Sequence, residues 1–169
     1  MIRGPLGSGK TTISRRVAEA LPARYISIDR LLDEHQLEQW ENDFISERSF
    51  LRANDIAIRE AEGPLHEGTP VVIDGNFYWR SVLDDLAARL DYPHLVVTLR
   101  VPLDVCIDRD SRRPSPIGAE DTRMVFEKST SFDYGLPVDA SGSVDQAVGA
   151  IMEGLRSARL LVPRADGEV

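Results

Sequence analysis

The sequence predicts an α/β protein with a mostly parallel sheet covered by helices on both faces. Three features carry that expectation. Residues Gly4 to Thr11 read Gly-Pro-Leu-Gly-Ser-Gly-Lys-Thr, which matches the phosphate-binding loop pattern G-x-x-x-x-G-K-[ST] at every fixed position and runs into a helical pattern. Val71-Val72-Ile73 is a continuous β-branched run ending at Asp74-Gly75, the mark of a strand buried on both faces. Around them, short strand patterns alternate with helical ones.

Only Met1, Ile2 and Arg3 precede the loop, so the first strand is either very short or trimmed. A helix is expected from about Thr11 to Leu21, with Ile13, Val17 and Leu21 on one face and Pro22 closing it. Arg24 to Ile28 reads as a strand ending at Asp29, Leu31 to Trp40 as helical, and Ser46 to Glu67 as a long helix ended by Gly68-Thr69-Pro70. After the Val71 strand, Ser81 to Leu90 fits a short amphipathic helix, and a strand is placed around His94 to Arg100. Leu103 to Arg113 is helical up to the Pro114–Gly118 punctuation, and a further helix spans about Glu120 to Ser131. A last strand falls near Leu136 to Val138. Ser143-Val144-Asp145-Gln146 then opens the terminal helix with a capping box, and the tail after Leu161 is expected to fray.

At 169 residues the chain fits one domain, 1–169, with no internal repeat. A net charge of -8 speaks against a protein that coats nucleic acid by bulk electrostatics. No apolar run approaches a membrane span, and the phosphate loop at the N-terminus leaves no room for a signal peptide. The single cysteine, Cys106, excludes an internal disulfide and reads as a buried structural thiol. A cytoplasmic setting follows from these points as the expectation. His35, His66 and His94 show no metal-ligand spacing.

The glycines of the loop, Gly4, Gly7 and Gly9, let the backbone curl so that its N–H groups face one anion, and the helix start adds its own unpaired N–H groups. The nucleotide is therefore assigned to Gly4, Leu6, Gly7, Ser8, Gly9, Lys10, Thr11 and Thr12. Lys10 would reach the β- and γ-phosphates, and the Thr11 hydroxyl would hold a Mg²⁺ bridging the same oxygens. In such sheets ligands gather beyond the carboxyl ends of the strands, where the loop, Asp29 and Asp74 would converge.

These segments, with Cys106-Ile107-Asp108-Arg109-Asp110-Ser111-Arg112-Arg113, resemble the small P-loop kinases of the nucleoside-monophosphate-kinase type: shikimate kinase, gluconate kinase, adenylylsulfate kinase and the 5′-hydroxyl polynucleotide kinases. The resemblance covers nearly the whole chain, and only the loop is specific. It implies the three-layer P-loop NTPase fold with a five-stranded parallel core, an acceptor-binding helical region at about 31–62 and a small mobile lid at about 109–119. It also implies that Asp29 contacts the acceptor hydroxyl and takes its proton; the competing reading makes Asp29 a helix N-cap. Asp74 resembles the acid that holds Mg²⁺ through water, against a plain turn residue before Gly75. Arg109, Arg112 and Arg113 would share a helix face and close over the transferred phosphoryl group, against a merely solvated charged face. Ser141, in the Ala140-Ser141-Gly142 loop, resembles the adenine-cradling position. Phe77, Tyr78 and Trp79 either line the acceptor pocket or pack the sheet edge, while Arg52 and Arg59 either grip the acceptor or form surface salt bridges.

The function expected is transfer of the γ-phosphoryl of ATP, with Mg²⁺, to a hydroxyl of a small molecule. Two alternatives stand beside it: a polynucleotide 5′-hydroxyl kinase, disfavoured by the acidic balance, and a nucleotide-sensing ATPase module that signals through a partner.

Overall fold

A computed structural model of the chain describes residues 1–160, so the tail expected to fray after Leu161 lies outside the described residues. Its centre is a five-stranded parallel sheet of β1 (Ile2–Arg3), β2 (Arg24–Ser27), β5 (Val71–Gly75), β6 (Val97–Arg100) and β7 (Leu136–Asp139) in the order β2-β5-β1-β6-β7. Strand β1 has two residues, yet both are paired on either side: Ile2 lies opposite Asp74 and Val97, Arg3 opposite Gly75 and Thr98. Residue alternation along each strand feeds two cores. Ile26 and Ile73 face one core with helices α2 (Ile28–Glu34), α3 (Glu47–His66) and α4 (Arg80–Leu90). Val72, Val97 and Leu99 face the other, shared with α1 (Lys10–Ala20) and α7 (Val144–Ser157). Helices α5 (Leu103–Ser111) and α6 (Ala119–Thr130) pack on each other beside the loop.

Local chemistry explains the boundaries. Helix α3 starts at Ser46, whose hydroxyl accepts from the Ser49 N–H, and α7 starts at Ser143 with the full capping box to Gln146. Helix α2 departs from expectation at both ends. Ser27 caps it, so β2 stops one residue early. Gln36 takes a left-handed φ of 52°, with Leu37 N–H bonded to Leu32 O and Gln36 N–H to Asp33 O, a terminating motif that ends the helix at Glu34 rather than Trp40. The residues freed by that stop form an antiparallel hairpin of β3 (Trp40–Glu41) and β4 (Phe44–Ile45), turned by Asn42 and Asp43 at φ 49° and 66°.

The carboxyl edge of the sheet is where β5 meets α2. A Cβ on Gly75 would lie 2.9 Å from Ile28 Cβ, so only glycine lets the end of β5 approach this closely. At the opposite edge, an apolar cavity of about 260 Å³ lies between Val17, Leu65, Leu95 and Ile151, with no Asp, Glu, Lys or Arg among the described residues of its wall. It lies away from the phosphate loop. No helix among the described residues is long and apolar enough to cross a membrane.

Candidate active site

The loop between β1 and α1 is shaped by glycines in left-handed backbone, Gly7 at φ 77° and Gly9 at φ 82°. A Cβ on Gly7 would sit 2.4 Å from the Cys106 carbonyl oxygen, so the loop also packs tightly on α5. Cys106 is buried, and desolvation pushes its thiol up. Ser8 N–H closes the turn onto Pro5 O at 3.1 Å, while the buried Ser8 hydroxyl has no hydrogen-bond partner. Gly9 caps α1 without a side-chain bond, and no acid occupies the first turn, so the leading N–H groups and the positive helix end are left for an anion. Lys10, 6% exposed, extends from the first residue of that helix.

Two carboxylates share the rim with Lys10. Asp29, in the first turn of α2, accepts from the Asn76 N–H through Oδ1 at 3.1 Å and faces Lys10 Nζ through Oδ2 at 3.7 Å. It is not the helix cap: Ser27 Oγ accepts from the Arg30 N–H. Asp74, at the end of β5, is fully buried, and the Tyr25 hydroxyl lies 3.1 Å from each of its oxygens. Burial first, then the charge of Asp29, raises the Asp74 pKa, with Lys10 opposing.

That raised pKa has a stability consequence. The folded state holds the Asp74 proton more tightly than the unfolded chain, so its contribution favours folding below the usual carboxylate range and is lost as pH rises through the raised value. At pH 7 the buried charge costs stability. Asp74→Asn, which keeps an acceptor for Tyr25, is expected to raise Tm at pH 7 by roughly 2–4 °C and to gain little near pH 3. Thermal melts at both values check this, and an unchanged or lower Tm at pH 7 counts against it.

Two cavities flank the phosphate loop. One, of about 580 Å³, runs from Lys10, Thr11 and Asp29 past Asn76 and Tyr78 to Trp40, Phe44, Arg113 and Ile117. The other, of about 240 Å³, lies between Ser8, Gly9, Thr12, Arg109, Gly142 and Val144.

The expected arginine cluster does not share a face, because α5 stops at Ser111 and the chain turns away. Arg109 points to the smaller cavity, where its guanidinium donates to Ser8 O at 3.4 Å, Ala140 O at 3.0 Å and Ser141 O at 3.1 Å. Arg112 is exposed and pairs with Asp108 at 2.8 Å, outside both cavities. Arg113 is the member that lines the larger cavity. Its partner at 3.6 Å is the buried Asp110, whose Oδ2 also accepts from the Ile117 and Gly118 N–H groups at 3.0 Å each, tying down the segment between α5 and α6. Ser141 spends its hydroxyl and N–H on Asp139 and offers only its carbonyl to Arg109. Arg52 and Arg59 are exposed and line neither cavity. The aromatic run divides: Phe77 is core, Tyr78 lines the larger cavity, and Lys128 lies 3.5 Å over the Trp79 ring.

Tyr25, Asp110 and the hairpin residues Trp40 and Asp43 were not signalled by the sequence. Tyr25 and Asp74 are 49 residues apart, whereas Asp110 binds Arg113, Ile117 and Gly118 and the hairpin pairs Trp40 with Ile45 through turns that no local pattern announces.

The all-parallel sheet in this order, with a glycine-built cradle at the β1–α1 turn and carboxylates on the same rim, defines a small P-loop protein built like the nucleoside-monophosphate kinases. The chain belongs to the AAA domain family, which it matches over residues 1–130. It is 28% identical to a shikimate kinase of Actinobacillus succinogenes over 130 residues, covering 73% of this chain and 71% of that one. It is 29% identical to an uncharacterized protein of Mycobacterium tuberculosis, matching over 94% of this chain but spanning only 34% of that relative's length. Among solved structures, a gluconokinase from Sinorhizobium meliloti superposes with a TM-score of 0.70 at 19% identity, covering 94% of this chain and 92% of the other.

Proposed function

We propose that this chain is a Mg²⁺-dependent kinase that moves the γ-phosphoryl of ATP onto a hydroxyl of a small molecule. The observation that carries this reading is the 3.7 Å approach of Lys10 Nζ to Asp29 Oδ2 at the junction of the phosphate cradle and a cavity of about 580 Å³. A cation for phosphate and a carboxylate for a hydroxyl proton meet where the two substrates would meet. The acceptor oxygen attacks the γ-phosphorus in line, the bond to the bridging oxygen breaks, ADP leaves, and the hydroxyl proton passes to an Asp29 carboxylate oxygen. Lys10 and the loop N–H groups would hold the phosphates, and Arg113, which lines the same cavity, would meet the transferred group.

No three His, Cys, Asp or Glu side chains converge as a metal cage among the described residues, and a divalent ion bound beside phosphates would take most of its ligands from phosphate and water. The residues fit that mode: Thr11, a hydroxyl-bearing residue, lines the cavity, and Asp74, buried behind the rim, would act through water. When bound, Mg²⁺ neutralises charge building on the β- and γ-oxygens. Arg109 and the 140–144 loop would hold the base.

The same proposal treats residues 1–169 as one cytoplasmic catalytic unit, with 31–62 contributing the acceptor wall and 109–119 the lid. Supporting it, Leu32, Glu38, Trp40, Asp43, Phe44 and Ile45 reach the cavity from the first segment, and Arg113 and Ile117 from the second. The cavity is bounded and acidic, which does not suit a polynucleotide track.

The test is a thermal-shift screen of hydroxyl compounds with a non-hydrolysable ATP analogue, followed by a coupled ADP-release assay on the hits. A true acceptor at 100 times its Kd adds about 2.7 kcal/mol to the folded state and should then be phosphorylated. ATP binding with background turnover across the whole panel would sink the kinase reading.

A further inference from the structure

The acceptor cavity carries an unbalanced charge. Asp29, Glu38, Asp43 and Asp121 line it against Lys10 and Arg113, and both cations already face carboxylates, Lys10 at 3.7 Å from Asp29 and Arg113 at 3.6 Å from Asp110. Glu38 follows α2, Asp43 sits in the hairpin turn and Asp121 in the first turn of α6, so three separate elements bring these acids to one space. Among the described residues none of the three forms an ion pair, although ten pairs form among those same residues. Lys128 lies 3.5 Å over the Trp79 ring and 5.5 Å from the centre of the Phe44 ring, so its ammonium is held on aromatic faces behind the wall and does not itself line the cavity.

Aromatic rings complete the wall. Trp40 is 64% exposed, unusual for so large an apolar side chain, and Phe44 stands edge-on to Tyr78 with ring centroids 5.8 Å apart. An exposed indole beside unpaired carboxylates offers a cation a π face and counter-charges together. The negative field reaches across the space, since burial and then the charges of Asp29 and Glu38 push the Tyr78 hydroxyl up.

We propose, resting on the kinase reading above, that the acceptor is a polyhydroxyl compound bearing at least one protonated amine and no carboxylate. Its amine would lie between Trp40 and the Glu38, Asp43 and Asp121 carboxylates, presenting a hydroxyl to Asp29. A carboxylated acceptor would meet like charge from three elements of the wall and find no unpaired cation lining it. Shikimate and gluconate are both carboxylates at neutral pH, so this cavity is built against the two acceptors that the names of its relatives bring to mind.

The experiment is MgATP-dependent transfer to matched compounds: glucosamine and kanamycin as amines, glucose as the neutral reference, gluconate and shikimate as acids. At least one amine is expected to exceed every neutral and acidic compound at least tenfold in kcat/KM, with a KM that rises several-fold in 0.5 M NaCl as the charges are screened. Neutralising the wall by Glu38→Gln, Asp43→Asn and Asp121→Asn together should raise the amine's KM by up to about fivefold per charge, with kcat changed less than twofold. All three side chains are exposed, and an unchanged melting curve for the variant confirms its fold. Preferred transfer to gluconate or shikimate, or equal transfer to glucose and the amines, overturns this inference and leaves the kinase standing. Transfer to nothing in the panel, with MgATP bound, overturns both.

Discussion

Lys10→Ala is expected to lower the rate of phosphoryl transfer by about 10²–10³-fold while leaving the fold in place. The rate falls because Lys10 is the one lysine of the cradle, 6% exposed and fixed at the first residue of α1, where charge develops on oxygens that water no longer reaches. The fold holds because alanine is the best helix former and the loop is shaped by Gly7 and Gly9, whose left-handed φ values do not depend on the lysine. Asp29 loses its cation but keeps the Asn76 N–H at 3.1 Å, so it is not stranded. Single-turnover transfer from labelled ATP, with circular dichroism on the same preparation, measures both halves. Turnover within a few-fold of the parent would remove Lys10 from the chemistry.

What could be read from the sequence was whatever a local pattern determines. The cradle is contiguous, the Val71 to Gly75 strand is a β-branched run, and the Ser143 and Gln146 capping box is a four-residue signal; each stands in the structure where its pattern lies. The misplacements share a different cause. Helix α2 ends on a glutamine in left-handed backbone, a conformation that glutamine composition does not announce, and the hairpin after it has strands of two residues, too short for alternation to show. The arginines divide because carbonyls of Ala140 and Ser141, about thirty residues further on, capture Arg109, while Asp110 turns Arg113 inward. Helical spacing on paper takes no account of such partners. For the same reason the acidic wall was invisible: Glu38, Asp43 and Asp121 become neighbours only through the hairpin and the α5–α6 turn.

Asp29→Asn should separate catalysis from nucleotide binding more sharply than any other change. A general base contributes about 10²–10⁴-fold, and asparagine cannot take the acceptor's proton, so kcat should fall by that order. The substitution is nearly isosteric, and its amide oxygen still accepts from the Asn76 N–H, so the carbonyl side stays anchored to the turn after β5. Helix α2 is unaffected because Ser27 is its cap. The ATP Kd should stay level or improve, since removing this partly buried ion pair frees Lys10 Nζ and takes a negative charge away from incoming phosphates. Asp74 should respond too: with the Asp29 charge gone, one of the causes raising its pKa disappears. Asp74 would then ionise at a lower pH, and any step in ATP affinity linked to it would shift the same way. Isothermal titration of ATP at several pH values beside the kinetic assay gives all three quantities. A parallel loss of ATP affinity and kcat would mean that Asp29 holds the phosphate end of the site together, and the acceptor hydroxyl would then need another base.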